Sequence, residues 1–231
     1  MKLFYDLHIH SCLSPCADND MTPGNIAGMA HLAGLDAVAL TDHNTCGHTR
    51  LFCEAAASFG LVALAGMELT TAEEVHVVCL FADPDAAEAF SEHVYARLPD
   101  IPGRPDIFGQ QIYVGECDEP VGTEPKLLIS AADIGTYDAA SLAARFGGVA
   151  FPAHIDRPAF SLLSNLGLWD GAMGFRFAER TKTAREEGLP EIPYLINSDA
   201  HRLCDIPDAA HTLEVSQRSA QAVLDALKKM C

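Results

Sequence analysis

Leu3-Phe4-Tyr5-Asp6-Leu7-His8-Ile9-His10-Ser11 reads as a short strand that ends in chemistry. The run from Leu3 to Ile9 has the apolar, β-rich character of a strand, and residues two apart on a strand point to the same side. His8 and His10 therefore aim two imidazoles together, while Leu7 and Ile9 face the packing side. The pair stands at the C-terminal end of the strand, where α/β barrels build their sites.

Outward from this strand, short apolar runs alternate with helix-like stretches, the signature of repeated βα units. Met21 to Ala33 reads as a helix started by Thr22-Pro23 and stopped by Gly34. Ala37 to Thr41 is a second strand, and Thr49 to Phe59 a helix ended by Gly60. Leu61 to Leu69 and Val75 to Phe81 are further strands, followed by a long helix from Asp85 to Leu98. Residues 99–130 break the rhythm with Pro99, Pro102, Gly103 and Pro105. There Gln110 to Gly115 and Lys126 to Ile129 read as two arms of a hairpin, an insertion beside the barrel that helps form a substrate pocket. The rhythm then returns. Asp138 to Phe146 is a helix and Val149 to Ala153 a strand. Ser161 to Leu166 is a short helix. Met173 to Phe177, Tyr194 to Asn197 and Thr212 to Val215 are short strands, and Ser219 to Lys229 is an amphipathic helix. A length of 231 residues suits one α/β barrel, so residues 1–231 are expected to form a single barrel domain.

Composition narrows the function. Nearly half the residues are apolar, enough to bury a large core. No run approaches the roughly 18 to 20 apolar residues that cross a bilayer. The start of the chain lacks signal-peptide character, so a cytoplasmic protein with no membrane partner is expected. The eight cysteines follow no framework spacing and read as reduced thiols. A formal charge of −17 disfavours stable binding to duplex nucleic acid, whose backbone is held by Lys and Arg. A small phosphorylated substrate fits that balance better. Oligomeric state is not legible.

Further acidic and imidazole groups fall at or near strand ends: His43, Glu68, His76 and His154. Asp199 and His201 repeat the i, i+2 spacing of His8 and His10. Imidazole and carboxylate are the donors that hold divalent metals side by side. Motifs spread over the whole length imply one centre assembled by the fold.

These motifs carry a resemblance. DLHIHS at 6–11, TDHN at 41–44, GME at 66–68, His76 in VHVV, PAHIDRP at 152–158 and SDAHR at 198–202 are similar to the PHP family, named for its polymerase and histidinol phosphatase members. The resemblance implies a distorted (β/α)7 TIM-like barrel with two or three divalent metals (Zn, Fe or Mn) that hydrolyses phosphoesters. It implies that His8, His10 and Asp199 bind a first metal. Glu68 then bridges to a second, which His76 and His154 complete, and His43 and His201 bind a third. The remaining ligand falls in the loop Ser14-Pro15-Cys16-Ala17-Asp18-Asn19-Asp20, where the common Ser-Asp-Gly form is missing. Counting back from Thr22-Pro23 favours Asp18, with Asp20 and Cys16 as competitors.

Outside the ligand set, Arg157 and Arg202 follow His154 and His201 and can fork hydrogen bonds onto phosphate oxygens. Asp42 is expected to orient His43 or a neighbouring imidazole. His48, Asp156 and Lys182 have no motif support. The expected reaction is attack on the phosphorus of a small phosphomonoester or nucleotide by a hydroxide bridging two metals. A nuclease acting on oligonucleotide ends, a metal-binding module without catalysis and a barrel cleaving C–N bonds are the rivals.

Overall fold

The computed structural model describes residues 1–181 and 188–230. The elements in chain order begin with β1 (Lys2–Ile9), α1 (Pro23–Leu32), β2 (Ala37–Leu40), α2 (Thr49–Ser58), β3 (Val62–Thr70), β4 (His76–Phe81) and α3 (Pro84–Tyr95). Next come α4 (Pro105–Phe108), β5 (Ile112–Val114), β6 (Pro120–Thr123), α5 (Thr136–Arg145), β7 (Val149–Pro152) and α6 (Leu162–Leu166). The last are β8 (Ala178–Arg180), β9 (Tyr194–Ile196), β10 (Thr212–Glu214) and α7 (Ala220–Lys228).

The main sheet runs β10-β1-β2-β3-β4-β7, and β8 pairs with β9. Ile155 N–H donates to the Glu179 carbonyl at 2.8 Å and His10 N–H to the Ala200 carbonyl at 3.0 Å, which ties β8 to β7 and the end of β9 to β1. The strands thus curl into a distorted (β/α)7 TIM-like barrel. One core cluster gathers Leu7 of β1, Ala39 of β2, Leu64 of β3, Leu80 of β4, Phe151 of β7 and Leu195 of β9, and Val223, Leu224 and Leu227 of α7 join it. Strands from all round the sheet meet in that interior, which α7 closes from one end. A second cluster packs Ile26 of α1 and Phe52 of α2 on Val38 and Leu40 of β2.

The helix boundaries follow local chemistry. Thr22 caps α1, its hydroxyl accepting from Asn25 N–H, and Pro23 occupies the first turn, where a missing N–H costs nothing. Ser161 and Ser164 form a reciprocal cap on α6.

Three expectations need correction. Leu7 and Ile9 do not share a packing side: Leu7 lies in the barrel interior and Ile9 in the outer cluster. A register irregularity between Asp6 and Ile9 inserts an extra residue opposite β2 and re-aims the end of the strand, as β-bulges do beside active sites. The second arm of the hairpin is Pro120–Thr123, not 126–129, and Lys126 bridges Pro102 instead. The strand expected over 173–177 is a 3₁₀ turn at Gly171–Met173, with pairing delayed to Ala178–Arg180. Gly174 in the left-handed region (φ 79°) ends that turn.

Candidate metal centre

The rim of the barrel collects the side chains singled out by the sequence. Glu68 lies on the same face of β3 as Val62 and Leu64, at the end of the strand. β4 runs antiparallel to β3, with Thr70 opposite His76, so His76 begins its strand on the rim where β3 ends. His43 bridges to Glu68 just beyond β2. His154 follows β7, while Asp199 and His201 follow β9. His154 (φ 27°) and Asp199 (φ 52°) both have positive φ, which is uncommon for non-glycine residues though Asp and His adopt it more readily than most.

Eight side chains converge there. His8 Nε2 lies 3.1 Å from His10 Nε2. Asp199 Oδ1 is 3.3 Å from the first of these atoms and 3.2 Å from the second. Glu68 turns Oε1 to His8 Nε2 at 3.4 Å and Oε2 to His10 Nε2 at 3.3 Å. Its Oε1 also lies 3.1 Å from His76 Nδ1 and 3.2 Å from His154 Nε2, and Oε2 lies 3.2 Å from His43 Nδ1. His201 Nδ1 is 3.7 Å from Asp199 Oδ1. Glu68 therefore sits between both halves of the set. Donor atoms of His8, His10, Glu68 and Asp199 all lie within 4.8 Å of one another, as do those of His43, Glu68 and His76.

The outward nitrogens are already committed. His8 Nδ1 lies 2.9 and 3.0 Å from the two oxygens of Glu179, which also accepts from Asn197 Nδ2 at 2.7 Å and from His154 N–H at 3.0 Å. Ser14 donates to Asp42 Oδ1 at 2.6 Å, so its Oγ accepts from His10 Nδ1–H at 3.0 Å. His201 Nδ1–H donates to the Asp199 carbonyl at 2.8 Å. With each Nδ1–H engaged, the Nε2 atoms of all three rings are left for the cavity. This is how imidazole ligands are oriented toward a metal.

Charge follows the same logic. Burial opposes charge on His10, yet hydrogen bonds to Asp199 and Glu68 prevail and raise its pKa to about 9. Burial opposes charge on His8 as well, and Glu179, Glu68 and Asp199 carry it well above the ordinary imidazole value. For Glu68 the opposing cost of burial is overcome by His76, His8 and His43, which hold it well below the carboxylate range. Burial, then the charge on His10, holds His201 down at about 4. Protons on His8 and His10 thus balance the carboxylates when nothing else does. A divalent cation serves the same acceptors together. Asp199 Oδ1 and His43 Nδ1, which both face the cluster, are buried without a hydrogen bond of good geometry, so the residues fit a cationic centre.

Other expected residues are placed unevenly. Arg157 reaches the centre, with its guanidinium 2.5 Å from Asp199 Oδ2. Asp42 accepts from Ser11 N–H at 2.7 Å, Ser11 Oγ at 2.6 Å and Ser14 Oγ at 2.6 Å, so it orients His10 through Ser14 rather than touching His43. Asp18 is not brought into the cluster: its exposed carboxylate lies 3.7 Å from Arg202, which is itself exposed and away from the cavity. Cys16 is the loop residue that joins His10, His43 and His201 within 4.8 Å. Lys182 lies outside the described residues. Sequence reasoning passed over Glu179, Asn197, Ser14 and His48. His48 Nε2 accepts from Val114 N–H at 3.0 Å and its Nδ1–H donates to Ser11 Oγ at 2.8 Å, tying the insertion to the Asp42 network. A cavity of about 290 Å³ opens over the centre, lined by Cys16, His43, His76, Arg157, Phe160 and His201 among others.

A barrel rim that gathers imidazoles around shared carboxylates is a candidate centre for divalent metal ions. Residues 6–189 match the PHP domain family, and the chain belongs to it. No curated protein matches the chain. Among solved structures, the lesion-specific endonuclease PfuEndoQ from Pyrococcus furiosus superposes with a TM-score of 0.70 at 21% identity, over 99% of this chain. The chain spans only 56% of the length of that endonuclease. A candidate metal-dependent phosphoesterase from Bifidobacterium adolescentis matches with a TM-score of 0.59 at 21% identity, over 85% of this chain and 87% of its own. An amidohydrolase from Chromobacterium violaceum with bound sulfate and no metal gives 0.59 at 20% identity, over 94% of this chain and 93% of its own. At these identities the likeness is one of fold. No helix among the described residues is long and apolar enough to cross a membrane.

Proposed function

We propose that the chain hydrolyses a small phosphomonoester or nucleotide with two or three divalent ions of zinc, iron or manganese. His8, His10, Glu68 and Asp199 would hold one ion. Glu68, His76 and His154 would hold a second, and His43 and His201 belong to a third. When bound, such ions polarise the phosphoryl group and supply a nucleophile from water at neutral pH.

The chain's own residues do the rest. Glu179 and Asn197 fix the ring of His8, and Asp42 with Ser14 fixes that of His10. Arg157, paired through one nitrogen with Asp199, has further N–H groups to offer phosphoryl oxygens at the cavity. The observation that carries this reading is the arrangement of His8, His10, Glu68 and Asp199 around one point, with Arg157 at its edge. A cavity of about 290 Å³ favours a small ester, since it is at the low end for ligand pockets. The formal charge of −17 argues the same way against a long polyanion.

The test is release of inorganic phosphate by metal-loaded protein from a panel of sugar phosphates, nucleoside monophosphates and bisphosphates, and short single strands. Turnover of monoesters, lost on chelation and in His10→Ala, supports the reading. Cleavage confined to internal bonds of the strands would replace it with a nuclease.

A further inference from the structure

We propose that the thiol of Cys16 is a metal ligand, and that with His43 and His201 it makes a thiolate site for zinc, iron(II) or cobalt(II). This rests on the metal centre proposed above and specifies its third position.

Cys16 belongs to one group with His10, His43 and His201, whose donor atoms all lie within 4.8 Å of one another. No carboxylate from the same loop joins them. Asp18 lies 3.7 Å from Arg202, and neither it nor Asp20 belongs to the group, whereas Cys16, itself exposed, does. Independently of the cysteine, His43 is 5% exposed, and its Nδ1, 3.2 Å from Glu68 Oε2, makes no hydrogen bond of good geometry. His201 spends Nδ1–H on the Asp199 carbonyl, which leaves Nε2 as a donor to a cation. Two imidazoles and a sulfur thus face the same cavity with lone pairs unspent.

The loop holds Cys16 in place by backbone bonds on either side. Ser14 N–H donates to the Ser11 carbonyl at 2.9 Å and Ala17 N–H to the Ser14 carbonyl at 3.1 Å. Asp18 N–H donates to the His201 carbonyl at 2.9 Å, which links the cysteine loop to the other ligand-bearing segment. The insertion braces the loop from outside. Gly109 (φ +95°) lies so close to Pro15 that an added Cβ would sit 2.0 Å from the Pro15 carbonyl oxygen. A glycine is needed there for both reasons.

Binding is a ligand exchange. The Sγ–H bond breaks, the proton leaves to solvent, and the sulfur lone pair forms the bond to the cation. Thiolate favours zinc and other soft or borderline cations over magnesium and manganese, which prefer oxygen. Magnesium or manganese is therefore expected to fill the oxygen- and nitrogen-lined positions but not this one.

The experiment is reconstitution of the full chain with cobalt(II) and, separately, with zinc. Wild type should show a sulfur-to-cobalt charge-transfer band in the near ultraviolet, and zinc X-ray absorption should show a sulfur neighbour at about 2.3 Å. Cys16→Ser should lose both signals and one metal equivalent while retaining the others. Cys204→Ser, which alters an exposed thiol outside the cavity, should retain both signals. In wild type, bound zinc should also protect Cys16 from alkylation, a readout that does not depend on the variant folding. Full metal loading through nitrogen and oxygen alone would overturn the thiolate site and leave the centre standing. So would a sulfur signal that survives Cys16→Ser. Failure to bind any ion would overturn both.

Discussion

Glu179→Gln isolates how far the centre depends on residues that touch no ion. Glu179 is 1% exposed and receives His8 Nδ1–H, Asn197 Nδ2–H and the His154 backbone N–H. Oε1 faces His8 and His154, and Oε2 faces His8 and Asn197. A glutamine supplies one acceptor oxygen and one NH2. Whichever way it is turned, its amide hydrogens meet a donor, the Asn197 amide or the His154 N–H. A buried donor left unsatisfied costs about 1–3 kcal/mol, and bonds to a carboxylate are worth more than those to an amide. The ring of His8 also loses the charge that makes its Nε2 a strong donor. Loss of such an outer partner lowers metal affinity about 10- to 100-fold. The assay is competition with a chromogenic chelator, with circular dichroism confirming the fold. An affinity within about twofold of wild type in folded Glu179→Gln would refute the claim that this carboxylate orients the centre.

Arg157→Ala should lower kcat/KM roughly 10- to 100-fold, mostly through KM, if the guanidinium holds phosphoryl oxygens through charge-assisted bonds; steady-state kinetics on the best monoester measures it. His10 has a folded pKa of about 9, above the ordinary 6.5, so in ion-free protein its stabilising contribution is complete below pH 6.5. That contribution is lost as pH rises through 9, which chemical denaturation of chelator-treated protein should show. The same proton must leave when a cation binds, so calorimetry in two buffers should detect proton release near pH 7 that fades above pH 9. His48→Leu strands the buried Val114 N–H and cuts the insertion from Ser11, which should cost about 1–3 kcal/mol and lower Tm by several degrees.

Most of the side chains gathered at the rim were legible because each sits at or near a strand end and the strands themselves are apolar runs. His8 and His10 needed only a period of two, although the turn of both rings into the barrel depends on an irregularity after Asp6 that no pattern shows. His76 read correctly as a rim residue for a reason the sequence conceals, since β4 runs backwards and begins at the rim. Glu179 stayed hidden. It is one carboxylate in a three-residue strand, next to Arg180, and its partner His8 lies 171 positions away. That Cys16 rather than Asp18 lies beside His10, His43 and His201 follows from the loop's path between Gly109 and His201, not from composition. The second hairpin arm was misplaced because Leu127 and Leu128 are apolar enough to look like strand, whereas their burial comes from packing. Pro120 to Thr123 pairs despite a proline and a glycine.

The most direct measurement is an anomalous difference map from crystals of the metal-loaded protein. Peaks about 2.0–2.3 Å from the Nε2 atoms of His8 and His10 and from the oxygens of Glu68 and Asp199 are the expected result. Crystals of fully active protein with no anomalous peak among these four side chains would contradict the account.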